Sequence, residues 1–202
     1  MTSRILCTGS SGFIGKHLMK ALPEAVGYDL GKTFVKGPFD GIIHLAAISR
    51  VGVAEQYPAV CLQTNIMLTA QLLLEFQPKW MIFSSTCERP INVYGFSKRA
   101  AEDYIKLKVK NHIILRLSNV YGPGMAEDKL LSRIKGAIQS GSAFRLEDVP
   151  MPFEHIHVDD VCAQIKALIP QFERPNFKSF TMKLATGIAK TPEELLNVAA
   201  SY

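Results

Sequence analysis

A tyrosine and a lysine one helical turn apart are the first residues whose types and spacing suggest chemistry. They stand in the segment Tyr94-Gly95-Phe96-Ser97-Lys98, and a separation of four residues puts the phenol and the ammonium on one helix face. A free tyrosine titrates near pH 10, so it becomes a useful base near neutrality only when a nearby positive charge lowers its pKa. The pair is therefore a candidate for acid–base chemistry, with Tyr94 as the acting group.

Three hydroxyl groups end the apolar segment that precedes this pair in the chain. Ser84, Ser85 and Thr86 directly follow the strand-like residues 80–83. In a parallel sheet these hydroxyls would lie at the carboxyl edge, where ligands of α/β proteins bind. A hydroxyl at that edge can donate a hydrogen bond to a substrate alcohol or carbonyl and orient it toward Tyr94.

A glycine-rich turn near the start of the chain is the candidate cofactor site. The sequence GSSGFIG at 9–15 follows a short apolar segment and opens a helical pattern. Glycines allow a tight turn, the approach of the backbone to a pyrophosphate and close helix–strand packing, and the helix N-terminus favours the phosphate charge. Asp29 lies twenty residues after Gly9, where a carboxylate binds an adenine-ribose hydroxyl. Turn and acid together predict dinucleotide binding.

The same acid bears on the choice of cofactor. The carboxylate of Asp29 repels a 2′-phosphate, so the sequence favours NAD. The nearest following basic residue is Lys32, with no arginine beside it. Lys32 leaves NADP open as an alternative.

The elements that must position these residues alternate along the chain. Buried strands are predicted at 5–8, 42–45, 81–84 and 113–117, and helices at 13–22, 53–76, 94–110, 128–140, 159–169 and 192–200, the last capped by Thr191. Alternating strands and helices imply a parallel sheet covered on both faces. The predicted fold is α/β, a Rossmann-like doubly wound parallel sheet forming a single domain over 1–202, in which residues 121–156 and 176–202 contribute a small substrate-binding lobe.

Composition excludes several classes of protein. The chain has 202 residues, is 48% hydrophobic and 20% charged, and carries a net charge of +5, which is typical of a folded domain. Its basic residues form no run that would predict nucleic-acid binding, and no apolar run approaches the roughly 20 residues of a membrane span. The four cysteines form no CxxC pair and follow no secretory leader, so we expect a cytoplasmic protein with reduced thiols.

Six segments, taken in order, resemble the extended short-chain dehydrogenase/reductases, specifically the NAD-dependent epimerase/dehydratase family that acts on nucleotide sugars. These segments are the turn at 9–15, IHLAA at 43–47, IFSS at 82–85, YGFSK at 94–98, RLSNVYGPG at 116–124 and IHVDD at 156–160. The match covers nearly the whole chain, in what would be an unusually short member. The resemblance implies an NAD(P)-dependent enzyme with a small-molecule substrate.

The resemblance also implies roles for individual residues. Tyr94 is the base, Lys98 lowers its pKa and holds the nicotinamide ribose, and Ser85 polarises the substrate oxygen. A different register along the strand selects Thr86 in place of Ser85, and the Tyr-Gly pair that usually settles the register is here Arg89-Pro90. Ser85 is the assignment we prefer.

The remaining site residues are also carried over from the family. The cofactor site comprises Gly9, Gly12, Phe13, Ile14, Gly15, Asp29, Ala46, Tyr94 and Lys98. Asn119 is placed near the substrate or the nicotinamide amide. No metal is expected, because the family uses His155, His157 and Asp159 structurally, although their spacing imitates a metal site. By the same analogy, the helices that contain Leu72 and Ile105 build a homodimer interface as well as a core.

Three departures from the family pattern bear on the substrate. Only fourteen residues separate Asp29 from His44, so the third strand and its helix are missing or minimal. Only eight residues separate Ser85 from Tyr94, which predicts a cleft that is open or closed by another subunit. The arginine expected shortly before the segment at 156–160 is replaced by Pro152-Phe153, with Arg145 as a substitute.

These observations leave three hypotheses for function. In the first, Tyr94 removes a proton from a substrate hydroxyl while hydride passes to NAD, as in epimerases and dehydratases of nucleotide sugars. In the second, the chain is a trimmed NAD-binding protein with a regulatory or scaffold role and no turnover. In the third, it is a reductase or dehydrogenase of a small carbonyl compound that is not a nucleotide. Asn65 lies either near the cofactor or in ordinary helix packing, and it is not counted among the site residues.

Overall fold

The fold rests on a computed structural model that describes residues 3–32, 35–87, 91–143, 153–190 and 192–201. Thr191, Arg145, Pro152 and the Arg89-Pro90 pair, which entered the sequence predictions, lie outside the described residues.

Six parallel strands form the central sheet. In chain order they are β1 (Ile5–Thr8), β2 (Val26–Tyr28), β3 (Gly41–His44), β4 (Trp80–Thr86), β5 (Asn111–Leu117) and β8 (Phe180–Leu184). Their order across the sheet is β2-β1-β3-β4-β5-β8. The inner strands are almost wholly buried, as expected for strands covered by helices on both faces.

Helices cover both faces of this sheet. On one face α1 (Phe13–Ala21) and α7 (Val158–Leu168) pack on a core that includes Ile82 and Leu115. On the other face α4 (Leu68–Phe76) and α5 (Val93–Lys108) pack on Phe83 and its neighbours. The predicted doubly wound α/β fold is confirmed.

The predicted long helix 53–76 is divided into four pieces. It consists of α2 (Val51–Gln56), α3 (Pro58–Leu62), a π-helical turn (Gln63–Met67) and α4. Tyr57 leaves the helical region with φ −129° and ψ 65°, because the ring of Pro58 disfavours a helical residue before it. Pro58 then fits the first position of a new helix.

A smaller lobe covers the carboxyl edge of the sheet. It contains the strands β6 (Asn119–Tyr121), β7 (Phe153–His157) and β9 (Ala189–Lys190) with the helices α6 (Leu130–Ser140) and α8 (Pro192–Ser201). Apolar residues join α6 to α8: Leu131, Ile134, Leu195 and Ala199.

One part of the predicted lobe belongs to the large sheet instead. The sequence predicts that residues 176–202 belong to the lobe, but β8 within them pairs with β5 in parallel. This strand escaped prediction because it forms the sheet edge, where Phe180, Thr181 and Lys183 are exposed and the apolar pattern is weak. A short 3₁₀ helix (Ile169–Glu173) precedes it.

The connection between β2 and β3 is as reduced as its length predicted. Its described residues, 29–32 and 35–40, contain no helix and no strand. The strand β2 is consequently an edge of the sheet, and the adenine side of the predicted cofactor site lies beside that edge.

One helical stretch among the described residues, Pro58–Phe76, is long and apolar enough to match a membrane span by length and composition. It lies on the sheet, with Leu68, Leu72 and Leu73 in the second core. A helix that packs in the core of a protein can have the same length and apolar composition as a membrane span.

Candidate active site

A single cleft at the carboxyl edge of the sheet brings the predicted site residues together. Its volume is about 1480 Å³, and it lies between the strand ends and the smaller lobe. Its lining includes every predicted site residue: Gly9, Gly12, Phe13, Ile14, Gly15, Asp29, Ala46, Ser85, Tyr94, Lys98 and Asn119. Thr86 also lines it.

The glycine turn has a shape that only glycine permits at two positions. Gly9 has φ +73°, and a Cβ there would lie 2.7 Å from the backbone nitrogen of Ala46. A Cβ on Gly15 would lie 2.0 Å from the carbonyl oxygen of Gly9. The turn therefore leaves its backbone, together with the N-terminus of α1, open toward the cleft. This arrangement fits the pyrophosphate of a dinucleotide.

The carboxylate of Asp29 is held in position beside this turn. Its Oδ2 accepts a hydrogen bond from Ser10 Oγ at 2.8 Å, and its Oδ1 accepts one from the Ser11 backbone nitrogen at 3.0 Å. Lys32 Nζ lies 3.4 Å from Oδ2. Partial burial raises the pKa of Asp29, but these hydrogen bonds outweigh it and lower the pKa below its ordinary value. The group is an anion that can accept from ribose hydroxyls.

A buried hydrogen-bond chain fixes the backbone around the turn. Thr69 Oγ1 donates to the carbonyl oxygen of Asn65 at 2.9 Å, so it must accept from His44 Nε2 at 3.0 Å. His44 Nδ1 then accepts from Thr8 Oγ1, which in turn accepts from the Ala46 nitrogen. Burial lowers the pKa of His44 to about 3. The imidazole is therefore neutral and acts as a structural link.

Asn65 is a residue that sequence reasoning left out of the site. From the π-helical turn, its Oδ1 accepts from the Ile48 nitrogen at 2.8 Å and its Nδ2 donates to the Ile48 oxygen at 3.1 Å. Nδ2 also donates to Ser97 Oγ at 2.8 Å, and Ser97 Oγ donates to the Tyr94 carbonyl oxygen. Asn65 thus ties a wall of the cleft to α5. Two features of the sequence could have indicated this role. Asn65 is a polar residue on an otherwise apolar helix face, and Ser97 is a possible hydrogen-bond partner between Tyr94 and Lys98.

Tyr94 and Lys98 lie in the first two turns of α5. Asn92 caps this helix, since its Oδ1 accepts from the Gly95 nitrogen at 2.7 Å. Tyr94 is half-buried, whereas Lys98 is only 2% exposed, with Nζ 4.1 Å from the centre of the Phe83 ring. Burial lowers the pKa of Lys98 to about 7, an effect that nearby Glu102 and Cys61 oppose.

The two candidate hydroxyls at the end of β4 have different surroundings. Ser85 is buried, and its Oγ donates to Glu102 Oε1 at 2.5 Å. Thr86 is the last residue of the strand and lies in the cleft lining. The hydrogen of the Ser85 hydroxyl is therefore directed at a protein carboxylate.

The substrate end of the cleft is formed by the smaller lobe and the sheet edge. Asn119 is exposed on β6, opposite His155 in the β6–β7 register. Glu154 and Lys183 line the same region as an ion pair. His157 caps α7, because its Nδ1 accepts from the Asp159 nitrogen at 3.3 Å. Among the described residues, no group of three His, Cys, Asp or Glu side chains is arranged to hold a metal ion.

Comparison with known proteins gives the following relatives. UDP-arabinose 4-epimerase 1 of Arabidopsis thaliana is 27% identical over 182 residues, covering 59% of this chain and 43% of the relative. GDP-6-deoxy-D-mannose reductase of Pseudomonas aeruginosa is 27% identical over 224 residues, covering 86% and 72%. The chain thus spans less than half the length of the plant epimerase that it matches.

A solved structure has the same fold. MoeE5 in complex with UDP-glucose and NAD superposes with a TM-score of 0.81 at 22% identity, covering 98% of this chain and 81% of that one. At this identity the similarity establishes the fold.

A family profile matches most of the chain. It is that of the NAD dependent epimerase/dehydratase family, and it matches residues 25–181. The match begins after the glycine turn, so it is independent of the motif that first suggested a dinucleotide. With the fold and the motif order it confirms the resemblance: the chain belongs to the NAD-dependent epimerase/dehydratase family.

Proposed function

We propose that the chain is an NAD(P)-dependent enzyme that transfers hydride to and from a nucleotide sugar, as epimerases and dehydratases do. The observation that carries this proposal is the cleft itself. The capped Tyr94–Lys98 turn of α5, the glycine turn before α1 and the hydroxyl-bearing end of β4 all line it. Acid–base groups, a hydroxyl donor and a dinucleotide cradle are the parts that this chemistry requires.

The protein would hold the dinucleotide through groups already in place. The turn at Gly9 and the N-terminus of α1 would receive the pyrophosphate, and Asp29 would accept from the adenine ribose. The Asp29 carboxylate favours NAD, and its contact with Lys32 leaves NADP open. A bound nicotinamide would supply the site with a hydride acceptor and donor for a substrate carbon.

The side chains of α5 and β4 would handle the proton and orient the substrate. The Lys98 ammonium stabilises the phenolate form of Tyr94 electrostatically, and this phenolate takes the proton from the substrate hydroxyl. A hydroxyl at the end of β4 donates to the same substrate oxygen. We favour Thr86 for this role, because the hydrogen of Ser85 is given to Glu102. Asn119 lies where it can contact the substrate.

The substrate class is supported by the relatives. Two of them are named for a UDP sugar and a GDP sugar, and the fold neighbour holds UDP-glucose. The two named relatives differ in the nucleotide base of the sugar and in the reaction for which they are named. The proposal is therefore limited to nucleoside-diphosphate sugars, with epimerisation, dehydration and oxidation, the reverse of a reductase reaction, as the reactions to test.

A second candidate is an NAD-binding protein without turnover. The shortened β2–β3 connection favours this reading, because the described part of that connection supplies no helix or strand to cover the adenine. The buried Lys98 argues against this second candidate. Burying an ammonium lowers the stability of the fold, and dinucleotide binding alone gives no reason to accept that loss.

We also propose a reducing, cytoplasmic setting, with all four cysteines free.

The experiment that tests these alternatives is mass spectrometry of products. The protein is incubated with NAD and a panel of UDP-, GDP- and dTDP-sugars, and the products are separated before mass analysis. An isomer of unchanged mass indicates epimerisation, loss of water indicates dehydration, and loss of two hydrogens indicates oxidation. No product from any sugar, despite measured NAD binding, would overturn the proposal.

Tyr94→Phe is the matched control variant for this experiment. Removing the phenol oxygen removes the base and leaves the ring, so turnover should fall by about 10²–10⁴-fold while NAD affinity changes little. The readouts are product formation and calorimetric NAD binding. Full turnover by this variant would exclude the proposed mechanism.

A further inference from the structure

We infer that Glu102 is a positioning residue of the active site: its buried carboxylate fixes the hydroxyl-bearing end of β4 and supplies the negative charge that faces the Lys98 ammonium. This inference rests on the proposed function for its consequence in catalysis. Its geometry and its principal test do not depend on turnover.

The carboxylate joins three elements. Glu102 lies on α5 with a side chain 1% exposed. Its Oε1 accepts from Ser85 Oγ on β4 at 2.5 Å and from Arg116 Nε on β5 at 3.0 Å, and its Oε2 accepts from Arg116 Nη2 at 2.7 Å. The paired contact with Arg116 is the bidentate geometry that fixes a carboxylate in one orientation. The residue before Thr86 is thereby held to the helix that carries Tyr94.

The same carboxylate lies one helical turn from Lys98. Residues four apart on a helix have Cβ atoms about 5–6 Å apart on one face. The described residues give Lys98 no carboxylate within ion-pair distance, so its charge is balanced at longer range. Against the effect of burial, Glu102 and, to a smaller extent, Cys61 raise the pKa of Lys98.

The other groups around Lys98 do not supply a fixed anion. The Phe83 ring lies under Nζ, and Cys61 on α3 and His44 on β3 interact with Lys98 electrostatically. His44 is neutral, since burial lowers its pKa to about 3. Loss of the Glu102 charge would remove the anion one helical turn from Lys98 and would leave the three cations that contact it, Arg99, Lys106 and Arg116, without this partner.

The test is an NMR titration of Lys98 in the whole protein without substrate. Protein labelled with ¹³C at the lysine ε position gives one resonance per lysine, and the Lys98 signal is assigned from Lys98→Met. In Glu102→Gln, which keeps the shape and removes the charge, the pKa of Lys98 should fall by about one pH unit or more. A pKa within about 0.3 of the wild-type value overturns the inference.

Two further variants separate charge from packing. Lys106→Met removes an exposed cation 3.7 Å from the same carboxylate, and should leave the Lys98 titration unchanged or move it slightly upward. Glu102→Asp keeps the negative charge, but the side chain is one methylene shorter, so the carboxylate lies farther from Lys98. If Glu102→Gln does not fold, Glu102→Asp must show a smaller fall in the same direction, and an unmoved titration there also overturns the inference.

An activity measurement then connects this charge to the reaction. The alkaline limb of kcat/KM against pH should move to lower pH in Glu102→Gln, because the ammonium is lost earlier as the pH rises. Glu102→Asp should restore part of the shift, which a merely structural role would not produce. If the wild-type protein turns over no sugar while the Lys98 titration shifts as expected, the proposed function fails and the role of Glu102 stands.

Discussion

Ser85 and Thr86 are neighbours at the end of β4 with different surroundings. The hydrogen of Ser85 Oγ is directed at Glu102, inside the protein. Thr86 is the last residue of the strand and lines the cleft. The preference for Ser85 remains untested, and the geometry favours Thr86.

A pair of alanine variants distinguishes the two hydroxyls. Thr86→Ala should lower kcat at least about tenfold, because it removes a hydrogen bond to the reacting oxygen. Ser85→Ala should lower the free energy of unfolding by about 1–3 kcal/mol, because it leaves a buried carboxylate short of a donor. Kinetics and urea denaturation give the two quantities, and Thr86→Ser is the control. Loss of turnover in Ser85→Ala at wild-type stability would return the role to Ser85.

The buried Lys98 makes stability depend on pH in an unusual direction. Burial lowers its pKa in the native protein to about 7 from the ordinary value of 10.5. Between those values the unfolded chain binds more protons than the native protein, so the free energy of unfolding rises with pH. Below pH 7 both states are protonated, and the full cost of the buried charge is present.

Lys98→Met should therefore be more stable than the wild-type protein at low pH and lose that advantage as the pH rises. The expected difference is a few kcal/mol near pH 6, falling toward zero by about pH 10. Urea denaturation without cofactor at several pH values measures it. Parallel pH curves for the two proteins would show that Lys98 titrates normally in the native state.

At the scale of elements, the glycine turn and α1 form one unit. A Cβ on Gly15 would meet the Gly9 carbonyl oxygen at 2.0 Å, which neither backbone segment can accommodate without moving. Such a movement would separate α1 from β1 and distort the proposed pyrophosphate cradle. Gly136, in α6, is a matched control, since nothing lies within 4 Å of a Cβ built there.

Gly15→Ala should lower the free energy of unfolding by about 1–3 kcal/mol and weaken NAD binding more than tenfold. Gly136→Ala should raise stability by about 0.5–1 kcal/mol, because alanine is favoured over glycine inside a helix. Urea denaturation and calorimetry provide both comparisons. Equal NAD affinity in the two variants would contradict the proposed cradle.

At the scale of the whole molecule, the outer faces of α4 and α5 carry exposed apolar side chains. Met67, the last residue of the π-helical turn, lies seven residues before Leu74 on α4, and Phe96 lies eleven residues before Leu107 on α5, so each pair shares a helix face. Exposed apolar groups clustered on adjacent helices are typical of an interaction surface. They support the expected homodimer, which stays a prediction.

Leu74→Glu should convert the expected dimer to a monomer, because it places a charge in the apolar surface. Ile138→Glu, at an exposed position on α6 in the smaller lobe, is the control and should leave the dimer intact. Sedimentation velocity at several concentrations measures both. A wild-type protein that is monomeric throughout would contradict the prediction.

The sequence by itself determined the layout of the molecule. Short apolar segments separated by helical patterns fix a parallel sheet, because strands buried on both faces and amphipathic helices have distinct periodicities. The turn at 9–15, Asp29 and the Tyr94–Lys98 spacing are local patterns, and all of these residues line one cleft. The short distance of fourteen residues between Asp29 and His44 also predicted the reduced β2–β3 connection.

The tertiary structure decided what depends on partners distant in the chain. The contact of Ser85 with Glu102, the ties of Asn65 to Ile48 and Ser97, and the neutral His44 each join residues that no local pattern relates. The edge strand β8 needed its partner β5 to be recognised, because one exposed face gives little apolar signal. Burial and charge balance are properties of packed elements, and the pKa of Lys98 follows from both.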